Sequence, residues 1–168
     1  MDETSPLLHH FLAALAYRTQ KALRGAPEGV GHFQAGQKVR TPIEIVCHMT
    51  NVLGYARTFF VGGTYRAEPL GDLQAEVRRF HEMLEDLAKH LEASTPLQGT
   101  TPEKLLQGPL SDAMTHIGQL ALLRRLFGSP VPPENFIEAD IDVANLGPDQ
   151  PEPVSPDDEW PEKPSPTT

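Results

Sequence analysis

The stretch LQAEVRRFHEMLEDLAKHL, residues 73–91, decides the fold class of this chain. Apolar residues recur along it at alternating spacings of four and three, the heptad pattern of a helix that packs in a bundle. The pattern is formed by Leu73, Val77, Phe80, Leu84, Leu87 and Leu91. Charged side chains occupy the remaining faces, so the segment predicts an amphipathic helix that buries one side only.

Residues 41–61 predict a second helix with a well-marked start. Thr41 and Glu44 form a Thr-x-x-Glu capping box, and Pro42 suits the first helical position. Two stripes follow, the first made of Ile43, Val46, Met49 or Thr50, Leu53, Ala56 and Phe60, the second of Ile45, His48, Val52, Tyr55 and Phe59. Both are mostly apolar, which predicts a buried helix, and Gly62–Gly63 should end it.

Two further helices, the first and the last in the chain, complete the predicted fold. The first covers about residues 6–23, and the last covers residues 101–127 in two parts, because a proline interrupts it at Gly108–Pro109. No segment alternates like a strand. The fold class predicted from these patterns is all-α, a four-helix bundle with long loops before its second and third helices.

The C-terminal quarter differs from the rest in composition. Ten of the 17 prolines follow Ser129, and residues 129–168 carry 10 acidic side chains against the single Lys163, which accounts for the whole net charge of −9. Apolar residues within 129–146, namely Phe136, Ile137, Ile141, Val143 and Leu146, predict an extended arm packed on the bundle. We therefore expect one domain over residues 1–146 and a flexible, acidic, Pro-rich tail over 147–168.

Charge and cysteine content exclude several classes of function. The basic residues are scattered and the tail is acidic, so neither nucleic acid nor an anionic membrane is expected as a partner. Cys47 is the only cysteine, no signal peptide is recognisable, and no apolar run approaches the roughly 18 residues that a membrane span needs. These features predict a cytoplasmic protein.

Asp112 and His116 are the leading candidates for a functional site. Four residues apart on a helix, their side chains project from one face, and a metal ion could be held between them. His48 on the second helix is the candidate third ligand. The alternatives are an acidic residue favoured by the helix dipole and a histidine hydrogen-bonded in the core. Glu44 is explained by its capping box, although it could also orient His48 or serve as a base.

The remaining candidates have structural explanations. Cys47 is interpreted as a small buried residue, with a nucleophilic Cys–His pair as the alternative. Five histidines are interpreted as solvated or structural: His9, His10, His32, His81 and His90. Arg124–Arg125 are interpreted as surface residues or partners of a helix end. No catalytic residue is identified.

Two segments, TPIEIVCHMTNVLGYAR (41–57) and THIGQLALLRRLFGSPVP (115–132), resemble the DinB-like (DinB/YfiT) superfamily of metal-dependent hydrolases. This is the four-helix family, not the DNA polymerase that shares its name. The later phrase ENFIEADI (134–141) adds to a likeness over about residues 5–146. The family has one metal-binding histidine on helix two and a His-x-x-x-His pair on helix four. The resemblance carries this pattern onto His48 and His116, with Asp112 in place of the family's other histidine.

The resemblance implies a homodimer that holds a divalent ion, Zn, Ni, Fe or Mn, at His48, Asp112 and His116. It also implies hydrolysis of a small electrophile, or transfer of a thiol to it. The opposite hypothesis follows from the aspartate at position 112. A degenerate metal site would leave a non-catalytic helical-bundle dimer that acts as a stress-related scaffold or binding protein.

Overall fold

The computed structural model describes residues 4–164, and it confirms the all-helical prediction. Its elements are α1 (Thr4–Leu23), a 3₁₀ turn (Val30–His32), α2 (Pro42–Val61), α3 (Leu73–Glu92), α4 (Pro102–Leu105), a π-helical turn (Leu106–Leu110) and α5 (Ser111–Leu126). Within residues 4–164 no strand forms. An isolated antiparallel bridge joins Glu134 and Pro156.

Each of the four long helices packs against two others. α2 lies against α3 and α5, and α1 lies against the same two helices from the other side. The predicted seam of α3 faces this shared core, where Val77, Phe80 and Leu84 are nearly or fully buried. The ends of the seam, Leu73 and Leu91, are partly buried. The heptad pattern therefore identified the inward face of α3 correctly.

The capping box at the start of α2 is present. The Thr41 side chain accepts a hydrogen bond from the backbone N–H of Glu44, and Glu44 accepts one from the backbone N–H of Thr41 at 2.7 Å. The first predicted stripe of α2 is buried throughout. The second is buried only at Ile45, and Tyr55 is 56% exposed. The prediction of a helix buried on both stripes was wrong, because the second stripe borders an open groove.

The Gly108–Pro109 pair does not break the last helix. Residues 102–126 continue without a gap, and the π-helical turn Leu106–Leu110 contains the proline. The wider turn leaves room for a ring that would clash with the preceding turn of an α-helix. Ser111 Oγ donates to the carbonyl of Leu106 at 2.6 Å and so provides a side-chain partner at this point. The predicted restart at Pro109 is therefore replaced by a bulge.

Arg124 joins the ends of two helices. The side chain is 3% exposed, and its Nη1 donates to the carbonyls of Ala22 and Arg24 at the end of α1, each at 3.1 Å. Its Nε and Nη2 donate to the carbonyl and hydroxyl of Ser129 just beyond α5. Helix ends leave carbonyls without intrahelical partners, and a guanidinium has five N–H groups to satisfy them. The helix-end interpretation is confirmed for Arg124.

The arm returns to the helices, although not at every predicted position. Leu146 is buried and Ile141 packs against the core, but Ile137 is 87% exposed and Val143 is also exposed. His81 on α3 holds the arm through a 2.7 Å hydrogen bond between its Nδ1 and the Leu146 carbonyl. Burial lowers the pKa of His81 to about 4, so the ring is neutral at physiological pH.

The acidic tail contacts basic residues at the ends of α1 and α5. Glu152 lies 2.7 Å from Arg24, and Glu162 lies 3.3 Å from Arg125. The flexibility expected for residues 147–164 stays a prediction, and residues 165–168 of the predicted tail lie outside the described part. None of the helices described is long and apolar enough to cross a membrane.

Replacing Arg124 by Met should destabilise the protein. The variant leaves the carbonyls of Ala22, Arg24 and Ser129 without their buried donor, and we expect a loss of about 3 kcal/mol in the free energy of unfolding. The matched control is Arg125→Met, which removes the neighbouring, more exposed arginine and should cost less than about 1 kcal/mol. Urea denaturation of both variants measures the difference, and equal losses would contradict the role given to Arg124.

Candidate metal centre

Three side chains converge where α2 contacts the first two turns of α5. His48 comes from α2, and Asp112 and His116 come from the first two turns of α5. One ligand atom from each, two imidazole nitrogens and a carboxylate oxygen, lies within 4.8 Å of the other two. The structure therefore brings together all three residues that the sequence singled out, in a group that could hold a metal ion.

The spacing of these atoms suits a common ion. Asp112 Oδ2 lies 3.7 Å from His48 Nε2, and Asp112 Oδ1 lies 3.5 Å from His116 Nε2. Bonds of about 2.0–2.1 Å in a tetrahedral zinc site place neighbouring ligand atoms about 3.3 Å apart. The two imidazole rings are nearly perpendicular, with centroids 4.7 Å apart. The two printed nitrogen–oxygen separations are close to that value, whereas the group as a whole is bounded at 4.8 Å, so the side chains would have to move together to coordinate one ion.

Gln119 determines which nitrogen of His116 is available. His116 Nδ1 lies 2.8 Å from Gln119 Oε1, one turn further along α5. The amide oxygen is an acceptor, so this hydrogen bond favours the tautomer with the proton on Nδ1, in which Nε2, the atom nearest Asp112, can donate to a metal. A hydrogen bond of this kind to the distal nitrogen orients most metal-binding histidines. The sequence interpretation missed Gln119, although its position three residues after His116 was a usable signal.

The surroundings of His48 favour its neutral form, which is the form that binds a metal. Burial is the main cause that lowers its pKa, Arg40 and the neighbouring imidazole of His116 lower it further, and Asp112 acts in the opposite direction. A neutral imidazole has a free lone pair to donate. His116 is buried, His48 partly buried and Asp112 about half exposed, so the site opens to solvent on the aspartate side.

Two grooves meet beside the three residues. The first has a volume of about 670 Å³ and runs from Asp112 past Tyr55 toward the π-helical turn at Pro109. The second, about 510 Å³, includes His48 and Arg40 in its walls. Asn51, one turn after His48, lines both. Asp112 therefore borders the first groove and His48 the second, while His116 lines neither.

The loop between α2 and α3 is hydrogen-bonded to α2 and forms a wall of the second groove. Asn51 donates to the carbonyl of Ala67 at 2.9 Å and accepts from its N–H at 2.7 Å. Tyr65 packs directly on Gly54, where a Cβ atom would lie 2.0 Å from the ring. A glycine inside a predicted helix was the available sign of this close approach.

The other candidates have structural roles and lie outside the three-residue cluster, although Cys47 and Glu44 line the second groove. Cys47 is buried, its Sγ lies 3.4 Å from the carbonyl of Ala67, and burial is the main cause that raises its thiol pKa. A raised pKa disfavours the thiolate that a nucleophilic cysteine needs. Glu44 accepts the capping-box hydrogen bonds described above. Histidines at positions 9, 10, 32, 81 and 90 are all absent from the cluster.

No family model, curated protein or solved structure matches this chain. Membership of the DinB-like superfamily therefore stays a prediction that depends on the two quoted motifs. The geometry of the three side chains was observed independently of that resemblance.

Substituting Gln119 tests whether it prepares His116 for metal binding. Gln119→Leu removes the acceptor for His116 Nδ1–H, and we expect affinity for Zn²⁺ to fall about 10- to 100-fold. Gln119→Glu is the matched control, because its carboxylate still accepts the same hydrogen bond. Competition with a coloured chelator measures both dissociation constants. Equal weakening in both variants would show that the hydrogen bond has no such role.

Proposed function

We propose that this protein is a metal-dependent enzyme of the DinB-like type, acting on a small electrophilic molecule by hydrolysis or by transfer of a thiol. The single observation that supports the proposal best is the convergence of His48, Asp112 and His116 from α2 and α5. We further propose that the four long helices form a bundle of that family's kind, since each of them packs against two others in a closed cycle.

The donor set favours a divalent transition ion. Two neutral imidazoles and one carboxylate suit Zn²⁺, Fe²⁺, Ni²⁺ and Mn²⁺, and three protein ligands leave coordination positions open. A bound ion of this kind makes a water or thiol more acidic, which supplies a nucleophile near neutral pH. His116 would be the fixed ligand, because it is buried and oriented by Gln119.

The exposed side of Asp112 is where a substrate would enter. The groove toward Tyr55 and Pro109 has room for a small molecule beside the carboxylate. Arg40 lines the other groove and is exposed. Because the Glu44 carboxylate accepts from Thr41 in the capping box, we do not assign it as a general base.

A non-catalytic function has one observation in its favour. Asp112 lies 3.5 Å from His116 and 3.7 Å from His48, so a protonated imidazole would find its counter-charge without any metal. Under this alternative the three residues are an ion-pair cluster at the helix interface, and the protein acts through a partner. The two functions make opposite predictions about metal content.

The first test is metal content by inductively coupled plasma mass spectrometry, on tag-free protein purified without chelators. We expect close to one equivalent of a divalent metal in the wild type. The same result is expected in a His10→Ala/His32→Ala control, which removes two exposed histidines outside the site. The His48→Ala/His116→Ala variant should lose the metal.

The melting temperature of the same samples gives an independent test of metal binding. Metal that binds only the folded state raises the melting temperature, so EDTA should lower it in the wild type and leave the His48→Ala/His116→Ala variant unchanged. The enzyme proposal is wrong, and the ion-pair cluster is favoured, if three results are found together. The wild-type protein contains no metal, it takes up none from added Zn²⁺, Ni²⁺, Mn²⁺ or anaerobic Fe²⁺, and EDTA does not change its melting temperature.

A further inference from the structure

The two grooves beside the candidate metal centre differ in the charged residues of their walls. Asp112 is the one charged residue that lines the first groove. The second groove is lined by two arginines, Arg40 and Arg66, and by two glutamates. Its wall also includes His48, so a molecule in this groove would lie beside a candidate metal ligand. What the second groove can bind depends on which of its four charged groups lacks a partner.

Three of these four groups already have partners. The Glu44 carboxylate accepts hydrogen bonds from the backbone N–H and the hydroxyl of Thr41, at 2.7 and 3.1 Å. Because Glu44 lies in the first turn of α2, the positive end of the helix dipole also stabilises its charge. Arg66 Nε donates to Glu68 Oε1 at 3.1 Å, so the charges of this exposed pair compensate each other.

Arg40 is the fourth group, and it has no such partner. Its side chain is exposed, and within residues 4–164 its guanidinium takes part in no hydrogen bond or ion pair. Its positive charge nevertheless acts on the imidazole of His48. α2 begins between the two residues at Pro42, and the helix rises about 9 Å from there to His48. A ligand that contacts both ends of this groove therefore needs a spacer of several atoms.

The candidate metal centre would add a second positive charge to the same surface. His48 and His116 bind a metal as neutral imidazoles, so the Asp112 carboxylate would offset only one of the two charges of a divalent ion. A substrate with a negative charge would be attracted both by the centre and by Arg40, and a cationic one would be repelled by both. The planar fork of a guanidinium also matches the two oxygens of a carboxylate.

We propose that the substrate of the metal centre is a small electrophile that carries a carboxylate, and that Arg40 selects it. The carboxylate would accept two hydrogen bonds from the Arg40 guanidinium, and the reacting group would lie several bonds away, at the ion beside His48. The inference rests on the proposed enzyme function and adds a class of substrate to it. Arg40 is a specificity-determining residue and takes no part in bond making.

Isothermal titration calorimetry on the full-length, Zn²⁺-loaded protein tests the proposal. The probes are hydroxamates, which bind zinc through two oxygens where a reacting carbonyl group would lie. Monohydroxamates of adipic, pimelic and suberic acid carry a carboxylate at the far end of three different spacers, and matched compounds end in a hydroxyl or an ammonium group. At low ionic strength we expect the best carboxylate probe to bind about fivefold more tightly than its hydroxyl counterpart, and the ammonium probe to bind most weakly.

Variants at two arginines locate the effect. Arg40→Gln should reduce the preference for the carboxylate over the hydroxyl probe to less than about twofold and leave the affinity for the hydroxyl probe unchanged. Arg40→Glu should make the ammonium probe bind more tightly than the carboxylate probe. Arg66→Gln is the matched control, because Arg66 lines the same groove but is already paired with Glu68, and it should keep the wild-type preference. Added salt should weaken the preference in the wild type.

The metal content of each sample after titration separates this proposal from the proposed enzyme function. If the protein keeps its Zn²⁺, two results overturn the substrate class and leave the enzyme proposal unaffected. One is that no carboxylate probe binds more tightly than its hydroxyl counterpart, and the other is that the preference survives Arg40→Gln. A protein that takes up neither Zn²⁺ nor any other divalent ion of the earlier test overturns both proposals.

Discussion

The packing of α2 against α5 is the constraint on which the rest of the structure depends. It sets the 4.7 Å separation of the His48 and His116 rings and places Asp112 between their Nε2 atoms. The π-helical turn before α5 contributes to it, because one extra residue rotates every later side chain by about 100° around the helix axis. Without that turn, the buried residues of α5, such as Ala113 and His116, could not share the inward face with Leu105 of α4 as they do.

Local signals in the sequence predicted much of this arrangement. The capping box of α2, the seam of α3 and the i, i+4 pair on α5 each depend on neighbours within one or two helical turns, so they can be identified without knowing the fold. The π-helical turn could not be identified in this way. Pro109 predicts that the helix is disturbed, but whether the helix breaks or forms a wider turn depends on packing. The burial of Arg124 could not be predicted either, because its partners Ala22 and Arg24 are about a hundred residues earlier in the chain.

Polar contacts hold the C-terminal arm against the helices. Only one large apolar residue of the arm, Leu146, is fully buried. Tyr17 and Lys21 contact the carboxylate of Glu134, and His81 contacts the Leu146 carbonyl. The composition of the arm predicted that apolar side chains hold it against the helices. Ile137 was therefore predicted to pack inward, whereas it is exposed. Two acidic residues beyond the arm, Glu152 and Glu162, form ion pairs with Arg24 and Arg125.

The central claim is that His48, Asp112 and His116 bind one metal ion together. Crystals grown with Zn²⁺ and measured on both sides of the zinc absorption edge test it most directly. The account predicts a single strong anomalous peak about 2.0–2.2 Å from His48 Nε2, His116 Nε2 and an oxygen of Asp112. A fully occupied peak elsewhere on the protein, or none at this position in the presence of excess zinc, would contradict it.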